Sequence, residues 1–283
     1  MKKRIITAAI GIALFVPVLV FSDTWLYPIT MAILAAIASY EFLRCVGTFK
    51  KWFLSIPAIV LSAVMPLTVR YFEIKQTFVF IFAIALFVFL LYGLSCGVFR
   101  FERYTFADAA ASFATTVWLG SAFTVIVALR DVPFGRYLFL LAFLAPWVSD
   151  AFAYFGGRAF GRKKLLPTVS PKKTVAGSLA ALLLTPVAVI LYGVLVSLFI
   201  DKTLLPNYPV LALTGFLLSV AGQIGDLIAS AIKRQYDIKD YGDLLPGHGG
   251  ILDRFDSILT TAPLLLLFSI LPAAFQIFTR TGI

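Results

Sequence analysis

The segment TFVFIFAIALFVFLLYGLSCGVF, residues 77–99, runs 23 residues without an aspartate, glutamate, lysine, arginine or histidine. At about 1.5 Å of rise per residue, a helix of that length crosses a hydrocarbon layer of about 30 Å. Nothing in that layer can hydrogen-bond an open backbone, so only helices and closed barrels span it. The short alternating strands of a barrel are absent from this sequence. The rest of the chain repeats the theme: of 283 residues, 61% are hydrophobic, 13% are charged and 28 are phenylalanine. A soluble domain carries about 25% charged residues. The expected fold class is all-α, a polytopic membrane protein.

Nine spans can be drawn: 5–21, 25–43, 53–69, 77–99, 106–129, 134–156, 177–200, 208–232 and 257–279. The first follows MKKR and has no small-residue cleavage site after it, so it reads as an uncleaved span rather than a signal peptide. Alternate connections carry Lys2, Lys3 and Arg4; Arg44, Lys50 and Lys51; Arg100 and Arg103; a cluster from Arg158 to Lys173; and Lys233, Arg234, Lys239 and Arg254. These hold 18 of the 24 basic residues, leaving Arg70, Lys75, Arg130, Arg136, Lys202 and Arg280 for the other side. Basic residues favour the cytoplasmic side, which puts the N-terminus inside and the C-terminus outside. That bias, with attraction to anionic lipid, accounts for the net charge of +10. No recognition module for nucleic acid accompanies it, so no nucleic-acid partner is expected. Cys45 and Cys96 offer neither a disulfide framework nor metal-ligand spacing.

Three regions follow: N-terminal spans over 1–105, middle spans with a basic cytoplasmic loop over 106–176, and a C-terminal region over 177–283. The connections 157–176 and 233–256 are the long ones, and long polar loops on one side of a bundle are where chemistry is sought.

Within the eighth span, Gln223, Asp226, Ser230 and Lys233 recur at helical spacing and share one face. A carboxylate inside a span is costly unless paired, hydrated or metal-bound. Either Lys233, two turns on, neutralises Asp226, or this face walls a wet cavity. Asp150 lies about two turns from the end of the sixth span, and GGR, GRKK and SPKKT then alternate glycine with cations. Such a loop, with Ser170, Lys172 and Lys173, suits phosphate oxygens, although a basic cytoplasmic loop is also the ordinary expectation.

The most polar stretch is PGHGGILDRFDS, residues 246–257. Asp253 and Asp256 are three apart and share a helical face, with Arg254 between them. Gly249 and Gly250 allow close backbone approach to a ligand. Asp226 from one helix and Asp253 with Asp256 from another can hold Mg²⁺, which takes one or two carboxylates and leaves positions for water and substrate phosphate. The competing reading is a solvated loop whose aspartates cap the next helix. His248, the only histidine, makes no zinc site; it contacts phosphate or nucleotide, or shapes the loop.

Read together, residues 230–256 resemble the signature of phosphatidate cytidylyltransferases, also called CDP-diacylglycerol synthases. The matching residues are Ser230, Lys233, Arg234, Lys239, Asp240, Pro246, His248, Gly249, Gly250, Asp253, Arg254 and Asp256. The upstream Ser170, Pro171, Lys172, Lys173 and Thr174 are also similar to that family's loop. Two departures stand out: SDAFAY (149–154) where the family often has Ser-Asp-Thr-Gly-Ala-Tyr, and KTVAG (173–177), with Ala176 in place of an acid. The resemblance implies transfer of a cytidylyl group from CTP to phosphatidate, giving CDP-diacylglycerol and pyrophosphate. It also implies Mg²⁺ at Asp226 and Asp253, a second cation such as K⁺, a homodimer, and a site on the cytoplasmic side of the inner membrane. Asp226, Asp253, Asp256 and Lys233 are the expected catalytic residues. Ser230, Arg234, Lys239, Asp240, His248, Gly249, Gly250, Arg254, Ser170, Lys172, Lys173 and Asp150 are the expected substrate contacts. The rivals are a CTP-dependent lipid kinase and an ion-coupled transporter using Asp150 and Asp226.

Overall fold

The computed structural model describes residues 2–72, 76–272 and 275–280. Lys75 and the side chains of Lys2, Lys3 and Arg4 lie outside the described residues. The helices are α1 (Lys2–Val20), α2 (Leu26–Cys45), α3 (Trp52–Phe72), α4 (Gln76–Phe99), α5 (Phe106–Thr115), α6 (Ser121–Asp131), α7 (Gly135–Phe160), α8 (Val175–Leu195), α9 (Tyr208–Gln235), α10 (Leu252–Phe255) and α11 (Ile258–Ile270). A π-helical turn, Thr116–Gly120, joins α5 to α6, and another, Val196–Ile200, extends α8. Counting those joined elements as single spans, seven helices among the described residues are long and apolar enough to cross a membrane. Two shorter apolar helices, Ala9–Val20 and Ile258–Ile270, accompany them. The all-α polytopic reading holds.

The span expected at 257–279 differs. Its helix ends at Ile270, because Leu271 is extended (φ −69°, ψ 158°) ahead of Pro272, whose ring disfavours a helical residue before it. Residues 273 and 274 of that span lie outside the described residues. Phe278–Arg280 forms β4, antiparallel to β3 (Leu204–Pro206), with Leu204 opposite Arg280. The connection expected as a loop after α7 also contains a hairpin, β1 (Lys164–Leu166) paired antiparallel with β2 (Ser170–Thr174).

The chain forms two compact units. The first comprises 1–128 and 235–255; the second comprises 129–234 and 256–283. In the first unit α2 and α3 pack along their lengths. Leu43, Ala58 and Phe89 form one buried cluster, and Leu54, Tyr104 and Ala109 another. Thr105 starts α5 with a reciprocal cap: it accepts from Asp108 N–H, while Asp108 accepts from the Thr105 backbone.

In the second unit α7 and α8 approach through small residues. A Cβ added at Gly156 would strike Ala180, one at Gly157 would lie 2.7 Å from Thr174 Oγ1, and one at Gly177 would strike the Ala153 carbonyl. Lipid gives apolar helices no solvent-driven reason to pack, so such close backbone contact supplies the attraction. Thr174, the last residue of β2, accepts from Gly177 N–H at 3.1 Å and caps α8. The hairpin is thereby fixed to the α7–α8 pair.

Candidate functional site

The second unit contributes the polar face of α9. Gln223, Asp226 and Ser230 are half-buried and Lys233 is buried. Ser230 donates to Asp226 Oδ1 at 3.2 Å, and Lys173 Nζ on β2 pairs with Asp226 Oδ2 at 2.5 Å. The cation on Asp226 is therefore Lys173 from the hairpin, not Lys233 two turns along the same helix. The hairpin turns Lys173 onto α9 because Thr174, its neighbour, is locked into the α7–α8 contact. One turn earlier, Ser178 donates to Gln223 Oε1, Gln223 Nε2 donates to Ser219, and Ser219 shares a hydrogen bond with Ser149 at 2.8 Å. Each buried polar group on this face has a partner, as burial demands.

A cavity of about 430 Å³ opens beside these groups. Asp150, Arg158, Lys164, Lys172, Lys173 and Gln223 are among the residues that line it. Four cations and one carboxylate in its lining make a setting for a polyanion. Of the expected contacts, Asp150, Lys172 and Lys173 meet here. Ser170 begins β2 and is half-buried, and Arg234 is exposed at the end of α9.

Asp256 belongs to the same unit, in the turn before α11. That turn crosses α9 at Gly225, where an added Cβ would strike Thr260 Oγ1 and lie 2.7 Å from the Asp256 carbonyl; only glycine admits this approach. Thr260 donates to the Ala221 carbonyl at 2.8 Å and ties the crossing. Burial, and then the negative charge of Asp226, push the Asp256 carboxyl up to about 7. The Ser257 N–H and Lys233 act the other way, and Asp150 adds a further push. The charge of Asp226 thus reaches the Asp256 carboxyl.

The first unit holds residues 235–255 of the signature. Here the Asp253 Oδ2 accepts from Tyr241 N–H at 2.8 Å and Gly250 N–H at 2.9 Å, drawing the two ends of the loop together. Leu245 and Gly249 form an isolated antiparallel bridge around a tight turn in which Gly247 and Gly249 take φ of +80° and +84°, values suited to glycine. His248 N–H donates to the Leu245 carbonyl at 2.8 Å, while its buried Nδ1 has no hydrogen-bond partner among the described residues. Lys239, Asp240 and Arg254 are exposed.

The residue that sequence reasoning passed over is Glu41. It is buried near the end of α2 and accepts from Ile251 N–H at 3.0 Å and Leu252 N–H at 2.9 Å, the amides that lead into α10. Gly242 and Gly250 leave no room for a Cβ beside its carboxylate. Three residues further along α2, Arg44 donates to the Tyr241 carbonyl at 3.0 Å. The cap of the signature helix is therefore a distant glutamate rather than one of its own aspartates. A signal existed: Glu41 is an acid inside an otherwise apolar span, and such a residue is functional by default.

Among the described residues no group of three or more His, Cys, Asp or Glu side chains converges as a finished metal cage. The donor chemistry nevertheless fits a hard divalent cation. Asp226 and Asp256 offer two mutually repelling carboxylates, the number Mg²⁺ takes from protein when substrate phosphates complete its shell.

Known proteins resemble the chain along nearly its whole length. Residues 2–271 match the model of the cytidylyltransferase family. A phosphatidate cytidylyltransferase of Staphylococcus aureus (strain COL) is 36% identical over 269 residues, covering 94% of this chain and 97% of the relative. Those of Bacillus subtilis (strain 168) and Staphylococcus haemolyticus (strain JCSC1435) are each 34% identical. The former match covers 95% of this chain and 99% of the relative, the latter 94% and 97%.

Proposed function

Because the chain belongs to the cytidylyltransferase family, we propose that it joins CTP to phosphatidate with the phosphates handled where Lys173 meets Asp226 on α9. It is a membrane-embedded nucleotidyltransferase, and its products are CDP-diacylglycerol and pyrophosphate. In the reaction a phosphatidate oxygen forms a bond to the α-phosphorus of CTP. The α–β phosphoanhydride bond breaks, and pyrophosphate leaves with the electron pair. The phosphatidate phosphate is ionised near neutral pH, so no enzyme nucleophile is required; positioning and charge neutralisation carry the rate.

The single observation supporting this placement is the Lys173–Asp226 pair beside a cavity lined by Arg158, Lys164 and Lys172. These cations bind phosphate oxygens. Ser230 orients Asp226, and the α9–α11 crossing keeps Asp256 beside it. Mg²⁺ bound by Asp226, with Asp256, would supply Lewis-acid neutralisation of the phosphates. The resemblance of the signature adds Asp253 to the metal ligands and K⁺ as a second cation. It also adds Lys233, Arg234, Lys239 and Arg254 as phosphate contacts, and Asp240, His248, Gly249, Gly250 and Ser170 as substrate contacts. The charge bias of the connections supports a site on the cytoplasmic side of the inner membrane. A homodimer completes the proposal.

Purified protein incubated with labelled CTP, phosphatidate and Mg²⁺ tests it. Label entering the lipid with release of pyrophosphate is expected. Release of CDP instead would make the chain a lipid kinase, and ion movement without CTP turnover would make it a transporter.

A further inference from the structure

A second cavity, of about 340 Å³, lies at the opposite end of α7 from the hairpin that carries Lys173. The 26 residues of α7 put the two ends about 39 Å apart, so this cavity cannot share the first one's substrate. Arg130, Arg136 and Arg280 line it, together with Asp131, Asp201 and Tyr137. Arg130, Arg136 and Arg280 come from three separated elements: α6, the first turn of α7 and β4. Half of the six basic residues that the connections leave on the minority side therefore converge on one hollow.

The arginines are held rather than splayed. Arg130 lies 5.6 Å from the Phe139 ring centroid, Arg136 lies 5.5 Å from that of Tyr137, and Arg280 lies 5.9 Å from that of Phe134. Stacking on a ring leaves the N–H edges of Arg136 and Arg280 for an anion, and the fork matches phosphate oxygens. Asp201 accepts from Tyr137 OH at 3.1 Å and from Thr203. Three guanidiniums against two carboxylates leave one positive charge, the complement of a phosphodiester. The N-terminus of α7, where Phe134 takes a left-handed φ of 59° and Gly135 packs on the Arg130 carbonyl, adds its partial positive charge. Phe199 and Ile200, immediately before Asp201, are exposed apolar residues suited to acyl chains.

We propose that this arginine-lined cavity is an anion site for a phosphate group, the chemistry of a phospholipid headgroup, at the end of α7 away from the hairpin. Three arms test it on the purified full chain in neutral-detergent micelles: phosphatidylglycerol, phosphatidylcholine and inorganic phosphate. Phosphatidylglycerol at several times its Kd is expected to raise Tm by about 3 °C, with phosphatidylcholine giving less. The double variant Arg136→Gln/Arg280→Gln is expected to lose that increment while keeping CTP turnover, which also reports that it folds. Arg280→Lys alone is expected to lose part of it. An equal rise with inorganic phosphate, lost in the double variant, would support the phosphate site and assign it to a soluble anion. An increment that survives in the double variant, or no increment from any of the three, overturns the proposal.

Discussion

Lys173 Nζ sits 2.5 Å from Asp226 Oδ2, joining a two-stranded hairpin to the middle of an intramembrane helix. Both partners are partly enclosed, so removing one leaves the other without its countercharge. Asp226→Asn is expected to lower CTP turnover at least about 100-fold, because the pair marks where phosphates and their cation meet. Membrane insertion should be retained, since the span stays apolar. Lys173→Met should also lose turnover, and Lys173→Arg should recover part of it. Turnover assays on purified variants check both; near-normal activity in Asp226→Asn would reject the assignment.

Glu41 reaches the signature from outside it. Its two oxygens each accept one amide at the start of α10. Glu41→Gln keeps one acceptor oxygen and places an amide NH₂ against a backbone N–H. Glu41→Gln is expected to destabilise the protein by about 2 kcal/mol, the range for a lost buried bond to a charged group. Hydrogen exchange at the amides of Ile251 and Leu252 should quicken, and turnover should fall more than KM for CTP changes. Unchanged exchange at those amides would remove Glu41 from this role.

The apolar spans were legible because the bilayer imposes them: a run such as 77–99 has no other stable form. The early end of the last helix was marked by Pro272, which the length of the apolar run concealed. The hairpin was harder to see, since Pro167 and Pro171 argue against strands; Pro167 lies in the turn, and Pro171 is tolerated because a two-stranded ribbon has only edges. At the site, the shared face of Gln223, Asp226 and Ser230 could be read from helical periodicity alone. The partner of Asp226 could not. Lys233 lay on the same face, whereas Lys173 arrives from a different element through the fold of the hairpin. Glu41 escaped for the same reason: its amide partners lie 210 and 211 residues away in sequence.

Gly225 sets the distance between α9 and the turn that holds Asp256. Gly225→Ala places a methyl against Thr260 Oγ1 and against a backbone carbonyl, and the carbonyl cannot rotate away. Overpacking of this kind costs about 1–3 kcal/mol, so a lower Tm is expected with a fall in turnover from the displaced carboxylate. Gly225→Ala/Thr260→Ala should recover little, because the Asp256 carbonyl remains in the way. Substantial recovery of turnover in the double variant would show that Thr260, not the backbone, makes the contact tight.

Asp256 predicts a pH dependence of stability in metal-free protein. Its carboxyl is pushed up to about 7 in the folded chain, against an ordinary value near 3.8. The folded state then holds the proton more tightly than the unfolded chain. Its contribution to stability is fully present below pH 3.8 and declines as pH rises until it levels off above about 7. Asparagine cannot ionise and keeps an oxygen for the Ser257 N–H. Asp256→Asn should therefore match the parent near pH 4 and exceed it increasingly up to pH 8, by a few kcal/mol, in protein stripped with EDTA. The same variant should lose turnover when Mg²⁺ is restored. Thermal unfolding in detergent across that pH range measures the difference, and a gap that stays constant or narrows with rising pH would mean that Asp256 is ionised throughout.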